Sequence, residues 1–133
     1  MTTGHRWSRR RIAGGVAALT LTLIVLTVPA SSQDDLDVLK VIPQNYKLLL
    51  ENQFIRVIEA RIPAGTEEKP HRHLRGVSVS MSDYTIEHLA TPGGAWQRSQ
   101  RQLGSVYWSE SSLHQTRNVG TTPSHTIRIE LKF

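Results

Sequence analysis

Beyond residue 45, apolar and polar residues alternate with a period of two, in short runs separated by glycine or proline. Leu48 to Leu50 lead into a turn at Glu51-Asn52-Gln53. In the following "FIRVIEARI", Ile55 and Val57 alternate with Arg56 and Ile58, as in a half-buried strand. Pro63-Ala64-Gly65 closes that run, because proline cannot donate to a ladder and glycine relaxes the turn. In "HRHLRGVSVSM", His71, His73, Arg75, Val77, Val79 and Met81 fall on one face. Arg72, Leu74, Gly76, Ser78 and Ser80 fall on the other. Ser82-Asp83 and Thr91-Pro92-Gly93-Gly94 read as turns around a short strand from Tyr84 to Leu89. Gln97 to Leu103 is a polar edge whose Gln97 to Arg101 part reads as a solvated face. Gly104 precedes "SVYWSE", with Val106 and Trp108 on one face, and "NVGTTPSH" is a loop. The closing "TIRIELKF" places Ile127, Ile129 and Leu131 inward. No helical period is sustained after residue 40, so the pattern predicts an all-β sandwich or small barrel.

The first 45 residues differ in kind. Arg6, Arg9, Arg10 and Arg11 precede an uncharged run from Ile12 to Val28, then Pro29-Ala30-Ser31-Ser32 and the acidic "QDDLD". A basic start, an apolar stretch and small residues before a polar segment predict a signal peptide over 1–32, cleaved after Ala30 or Ser32. "SRRRIAG" is similar to a twin-arginine export signal. The alternative is an uncleaved helical anchor over 12–28, whose 17 residues lie near the lower limit for crossing a bilayer. Residues 33–45 read as a tether and edge segment, and 46–133 as the β domain. The expected location is the periplasm or beyond, with membrane contact only through the N-terminal segment.

Charge changes meaning once that segment is set apart. The chain has 16 Lys and Arg against 11 Asp and Glu, a net +5, but four of the cations and none of the acids precede Ala30. The rest carries about +1, which gives no nucleic-acid footprint. The chain has no cysteine, so neither disulfides nor a lipid-bearing cysteine enter. No phosphate-binding loop, GxSxG elbow or paired-carboxylate motif is present.

Two spaced motifs carry the candidate chemistry. Gly65 is followed after five residues by His71-Arg72-His73, and Gly104 by His114 and, after three intervening residues, Asn118. Residues 46 to 133 thereby resemble the cupins, a β-jelly-roll family of two antiparallel sheets forming a small barrel. The cupin motifs run G-x5-H-x-H-x3-4-E-x6-G and G-x5-P-x-G-x2-H-x3-N. Glu110 and Ser112 stand in place of the second motif's proline and glycine, and one residue is missing before His114. The resemblance implies that His71, His73 and His114 are metal ligands. Apart from the family, an H-x-H pair on a strand sets both imidazoles on one face, and a histidine on a neighbouring strand can complete a facial triad. Imidazole suits Fe, Mn, Zn, Ni or Cu with differing preference, and three protein ligands leave open positions for exchange.

The family's fourth ligand, a glutamate, would fall at residue 77 or 78, and these are Val77 and Ser78. Alternation puts Val77 inward, where the carboxylate is missing. Glu59 and Glu87 are the candidate substitutes. Arg75 shares the histidines' face and is a candidate substrate-binding residue, as is Trp108; both also fit a salt bridge or rim packing. His125 reads as exposed, His88 as an ordinary strand histidine, Tyr107 as packing and Asn118 as a turn cap. Two functional expectations follow. One is an exported cupin with one divalent transition metal and dioxygenase- or isomerase-like chemistry on a small organic substrate. The other is a non-catalytic ligand-binding or structural cupin that has lost its glutamate. A homodimer through edge strands is the expected assembly.

Overall fold

A computed structural model describes Met1, residues 34–90 and residues 92–133. The signal or anchor segment lies outside the described residues. Among the described residues, no helix is long and apolar enough to cross a membrane.

Nine strands form two antiparallel sheets. The strands are β1 (Tyr46–Glu51), β2 (Ile55–Ile62), β3 (His71–His73), β4 (Gly76–Ser80), β5 (Tyr84–Leu89), β6 (Gln97–Arg101), β7 (Val106–Ser109), β8 (Ser112–Asn118) and β9 (Ser124–Leu131). One sheet has the order β1-β2-β9-β4-β7, the other β3-β8-β5-β6. The all-β expectation therefore holds, with strands near the predicted places. The closed barrel does not: among the described residues each sheet ends in edge strands that no ladder joins. β2 and β9 pair over their full length, from Ile55 opposite Leu131 to Ile62 opposite Ser124.

The "HRHLRGVSVS" stretch departs most from the expected reading. It is not one strand. β3 belongs to the four-stranded sheet and β4 to the five-stranded one, and the chain crosses between them at Leu74-Arg75. Crossing resets which residues face inward. Gly76, Ser78 and Ser80 are buried, while Val77 and Val79 are half-buried on the opposite face. The inward residue at the glutamate position is thus Ser78, not Val77. Gly76 is required where the chain joins the second sheet, because a Cβ there would stand 2.0 Å from the Ile129 carbonyl oxygen.

β9 is corrected in the same sense. Ser124, Arg128 and Glu130 are buried, and Ile127, Ile129 and Leu131 are half-buried on the outer face. Register fixes this: Ser78 pairs with Arg128, and Val77 with Ile129. On β2, Arg56, Ile58, Ala60 and Ile62 face inward.

Residues 34–45 do more than tether. A 3-10 turn, Asp34–Leu36, leads into a one-turn helix α1, Val38–Val41, capped by the Asp37 carboxylate accepting from the Leu39 N–H. Val38 and Ile42 are buried with Tyr46, Ile58, Ala60 and Ile62, forming the apolar core at one end of the five-stranded sheet. Burying each of these two side chains contributes about 1.5–3 kcal/mol.

Candidate metal centre

His71 and His73 stand on one face of β3, and His114 lies directly opposite His71 on β8. Ring centroids are 5.0 Å apart for His71–His73, 4.8 Å for His71–His114 and 5.4 Å for His73–His114. Each ring offers one nitrogen such that all three lie within 4.8 Å of one another. The sequence-predicted triad is therefore assembled by one local period and one ladder register.

The other ring nitrogens are already engaged. His71 Nδ1 donates to the Lys69 carbonyl at 2.8 Å, and His73 Nδ1 donates to Glu130 Oε1 at 2.7 Å. His114 Nδ1 pairs with Ser112 Oγ at 3.2 Å. Donation from Nδ1 leaves Nε2 of His71 and His73 with a free lone pair, and His114 matches them in the tautomer whose Nδ1 donates to Ser112, which is how outer partners orient metal-ligating imidazoles. The His71 Nε2 atom is buried without a hydrogen-bond partner. Burial pushes His71 down to about 4 and His114 down to about 2, with the neighbouring imidazoles adding to both shifts. Burial likewise lowers His73. All three rings are neutral near pH 7, the form that binds metal. A buried, unpartnered acceptor inside a neutral nitrogen triad fits a transition-metal ion.

Sequence reasoning missed two carboxylates. Glu130 is fully buried. Besides His73 it accepts from Arg56 Nε at 2.6 Å and Arg128 Nε at 2.9 Å, and Arg56 continues to Asp37 at 2.6 Å. Burial pushes the Glu130 carboxyl up, but His73 and Arg56 outweigh it and hold it at about 2. Its place was hidden because the apolar members of β9 seemed the natural inward set. Glu68 comes from the loop before β3. Its oxygens accept from Asn45 Nδ2 at 2.8 Å and the Tyr46 hydroxyl at 2.9 Å, and Oε2 lies 3.9 Å from His71 Nε2. Burial raises its pKa. No sequence motif singles it out.

The expected substitutes sit elsewhere. Glu59 pairs with Arg61 and with His125, each at 2.8 Å, so His125 is an ion-pair partner rather than a free surface group. Glu87 pairs with Arg117 at 2.6 Å. Arg75 is exposed and donates to the Phe133 carbonyl, away from the histidines, because the crossing at Leu74-Arg75 turns it out. Trp108 borders a cavity between the sheets, but its ladder partner is the outward Val77. Its half-exposed ring donates through Nε1 to Glu110 at 2.7 Å.

A cavity of about 400 Å³ opens between the sheets, bounded by His73 and His114 and, across from them, Ser78, Tyr107 and Arg128. Its size is within the roughly 300–1,000 Å³ of small-ligand pockets. His88 is not an ordinary strand histidine: it lines this cavity with its ring 5.2 Å from His114. Tyr107 and Arg101 also line it, so Gln97 to Arg101 is solvated on one side only. Asn118 acts as the expected cap. Its Nδ2 donates to the Ile62 and Thr122 carbonyls, each at 2.9 Å, and its Oδ1 accepts from the Gly120 N–H at 3.0 Å.

No model of a protein family matches the sequence, and no curated relative does. Solved structures do match. A cupin domain from Bordetella pertussis Tohama I is 30% identical, with the match covering 66% of this chain and 92% of that one, at a TM-score of 0.59. A cupin family protein with a double-stranded β-helix fold from Methanocaldococcus jannaschii matches in fold alone. It is 8% identical over 65% of this chain and 77% of that one, at a TM-score of 0.51.

Proposed function

The chain belongs to the cupin superfamily, and from that premise we propose that it holds one divalent transition metal on His71, His73 and His114 and binds a small organic molecule beside it. The observation that carries this reading is the set of three neutral imidazoles, each oriented by an Nδ1 partner, with His71 Nε2 buried and unpartnered. A nitrogen triad without a carboxylate favours Fe, Zn, Ni or Cu over Mn, which suits oxygen donors. Bound there, the metal would supply Lewis acidity toward a ligand oxygen. The chain's own residues then divide the remaining work. Glu130, neutralised by Arg56 and Arg128, fixes the His73 ring. His88, kept neutral by burial and then by Arg101, is placed to accept a proton from the bound molecule. Dioxygenase- or isomerase-like chemistry is the enzymatic form of the proposal.

A second reading, a non-catalytic ligand-binding or structural cupin, draws support from Ser78 at the inward position where a fourth ligand would stand. Export through residues 1–32 belongs to the same proposal and is checked by N-terminal sequencing of secreted protein; an intact Met1 there would refute cleavage. For a homodimer through edge strands the support is β7, at the edge of the five-stranded sheet, where the large apolar side chains of Val106 and Trp108 are exposed. Sedimentation of wild type and Trp108→Lys tests it, and a monomeric wild type refutes it.

The metal is tested by elemental content of protein purified without chelator, compared with His71→Ala and His114→Ala. One equivalent in wild type, lost in both variants, is expected. A folded wild type that stays empty when offered Fe, Zn, Ni, Cu and Mn would overturn the reading. Turnover by the loaded protein in a substrate screen separates the enzymatic form from the non-catalytic one.

A further inference from the structure

The cavity wall holds two arginines that differ in one respect. Arg128 is bound by Glu130 at 2.9 Å and donates to Ser78 Oγ at 3.1 Å and Ser109 Oγ at 2.6 Å. Its charge is balanced and its fork is filled. Arg101, on edge strand β6, has neither an acidic partner nor a hydrogen-bond acceptor among the described residues. Its guanidinium instead lies 4.2 Å from the centroid of the Tyr107 ring, on the edge strand of the opposite sheet. The Tyr107 ring is itself held, its hydroxyl 3.2 Å from that of Tyr84, which in turn takes hydrogen bonds from Ser80 Oγ and Thr126 Oγ1. A half-buried guanidinium stacked on a fixed ring has lost much of its freedom, yet its N–H donors have no protein acceptor.

Position adds direction. Arg101 pairs with Tyr84 across the β5–β6 ladder, and His88 lies further along β5 on the same face, its ring 5.2 Å from His114. Arg101 and the histidine cluster therefore bound one cavity from two ends, with Tyr84, Ile86 and Ile62 between. Glu110 is the one carboxylate on that wall among the described residues, and it is engaged by Trp108 Nε1. Among the described residues, Arg101 is thus the one cation of the cavity wall that has no carboxylate against it.

We propose that the cavity is selective for a small organic carboxylate, whose charged end forms a forked pair with Arg101 while its other end reaches the histidine cluster. This deepens the proposed function and rests on the three-histidine cavity being the ligand site. Planar carboxylate matches the planar guanidinium with two parallel N–H···O bonds, and a partly desolvated pair of this kind discriminates strongly against a neutral isostere.

The test compares benzoate, propionate and lactate with benzamide, propionamide and lactamide, titrated into the purified protein and followed by calorimetry and ligand-observed NMR. Wild type is expected to favour at least one carboxylate over its amide by about tenfold. Arg101→Gln should reduce that preference to less than about twofold, and Arg101→Lys should retain part of it, since a lone ammonium keeps the charge but not the fork. Metal content and thermal midpoint are measured on all three proteins and should agree. A wild type that binds none of the carboxylates, or binds them no better than the amides, overturns the proposal, as does a preference that survives in Arg101→Gln. The metal reading fails separately: a metal-free wild type with the carboxylate preference intact refutes the metal and leaves Arg101 standing, whereas a lost preference with metal retained in wild type does the reverse.

Discussion

Replacing Glu130 by glutamine removes one charge and almost no volume, at the point where three buried cations or donors converge. Arg56, Arg128 and His73 all place a nitrogen within 2.9 Å of its oxygens, and none of the carboxylate is exposed. Two routes give the size of the effect. The carboxyl is held at about 2 against an ordinary 4.5, and at 1.36 kcal/mol per unit the shift corresponds to about 3 kcal/mol. Removing one partner of a buried ion pair costs about 3–5 kcal/mol, because the remaining charges lose their compensation. The expected loss on Glu130→Gln is therefore about 3 kcal/mol at pH 7 in metal-free protein, read by guanidinium unfolding. The sign of the pH dependence follows from a depressed carboxylate. Its stabilisation is fully present above about 4.5 and is lost as pH falls toward about 2, so the gap between variant and wild type should not shrink between pH 7 and pH 5. Glu59→Gln is the control, since its pairs with Arg61 and His125 lie on the outer face, where solvent screens the charge and little stability rests on them. A Glu130→Gln loss below about 1 kcal/mol, or a gap that closes already by pH 5, would mean that the buried carboxylate does not hold these cations in place.

Further outcomes follow from the same contacts. Ser78→Glu should tighten metal binding, read by competition with a chromophoric chelator, because residue 78 faces inward; Val77→Glu should leave it unchanged, because residue 77 faces out. The reverse result would restore the simple alternation across residues 71 to 81. Asn118→Ala removes three hydrogen bonds at a buried site and should cost about 3 kcal/mol in chemical unfolding, at about 1 kcal/mol each; a neutral effect would show that the turn before β9 holds itself. Metal-free protein should lose stability on acidification starting near pH 6.5, as unfolded imidazoles take up protons that His71, held at about 4, refuses. A thermal midpoint flat from pH 7 to pH 5 would contradict that.

Much of the site was legible because it depends on short-range geometry. An H-x-H pair shares a face wherever the strand runs, and the glycines at 65 and 104 do adopt the positive φ of tight turns, 74° and 81°. The strands were legible for the same reason. What alternation could not supply was which face is the inside. The usual assumption, that the apolar set points inward, holds for Ile58 and Ile62 but fails on β4 and β9, where the interior is a polar cavity wall rather than a dry core. Glu130 and Arg128 were invisible on that assumption, Arg101 was hidden in a polar edge that reads as a solvated face, and Arg75 was favoured in their place.

Strand periods, the turns between them and the shared face of His71 and His73 follow from the order of residues alone, because all are consequences of local backbone geometry. The ladders between distant segments set the rest: β3 and β4 lie in different sheets, so that two residues at Leu74-Arg75 invert the facing of β4. They also place Glu130, 57 residues along from His73, to anchor that ring. Strand period is a property of each residue's own bonds, whereas facing and charge pairing depend on which distant segment the chain meets across a ladder, and no local pattern encodes that.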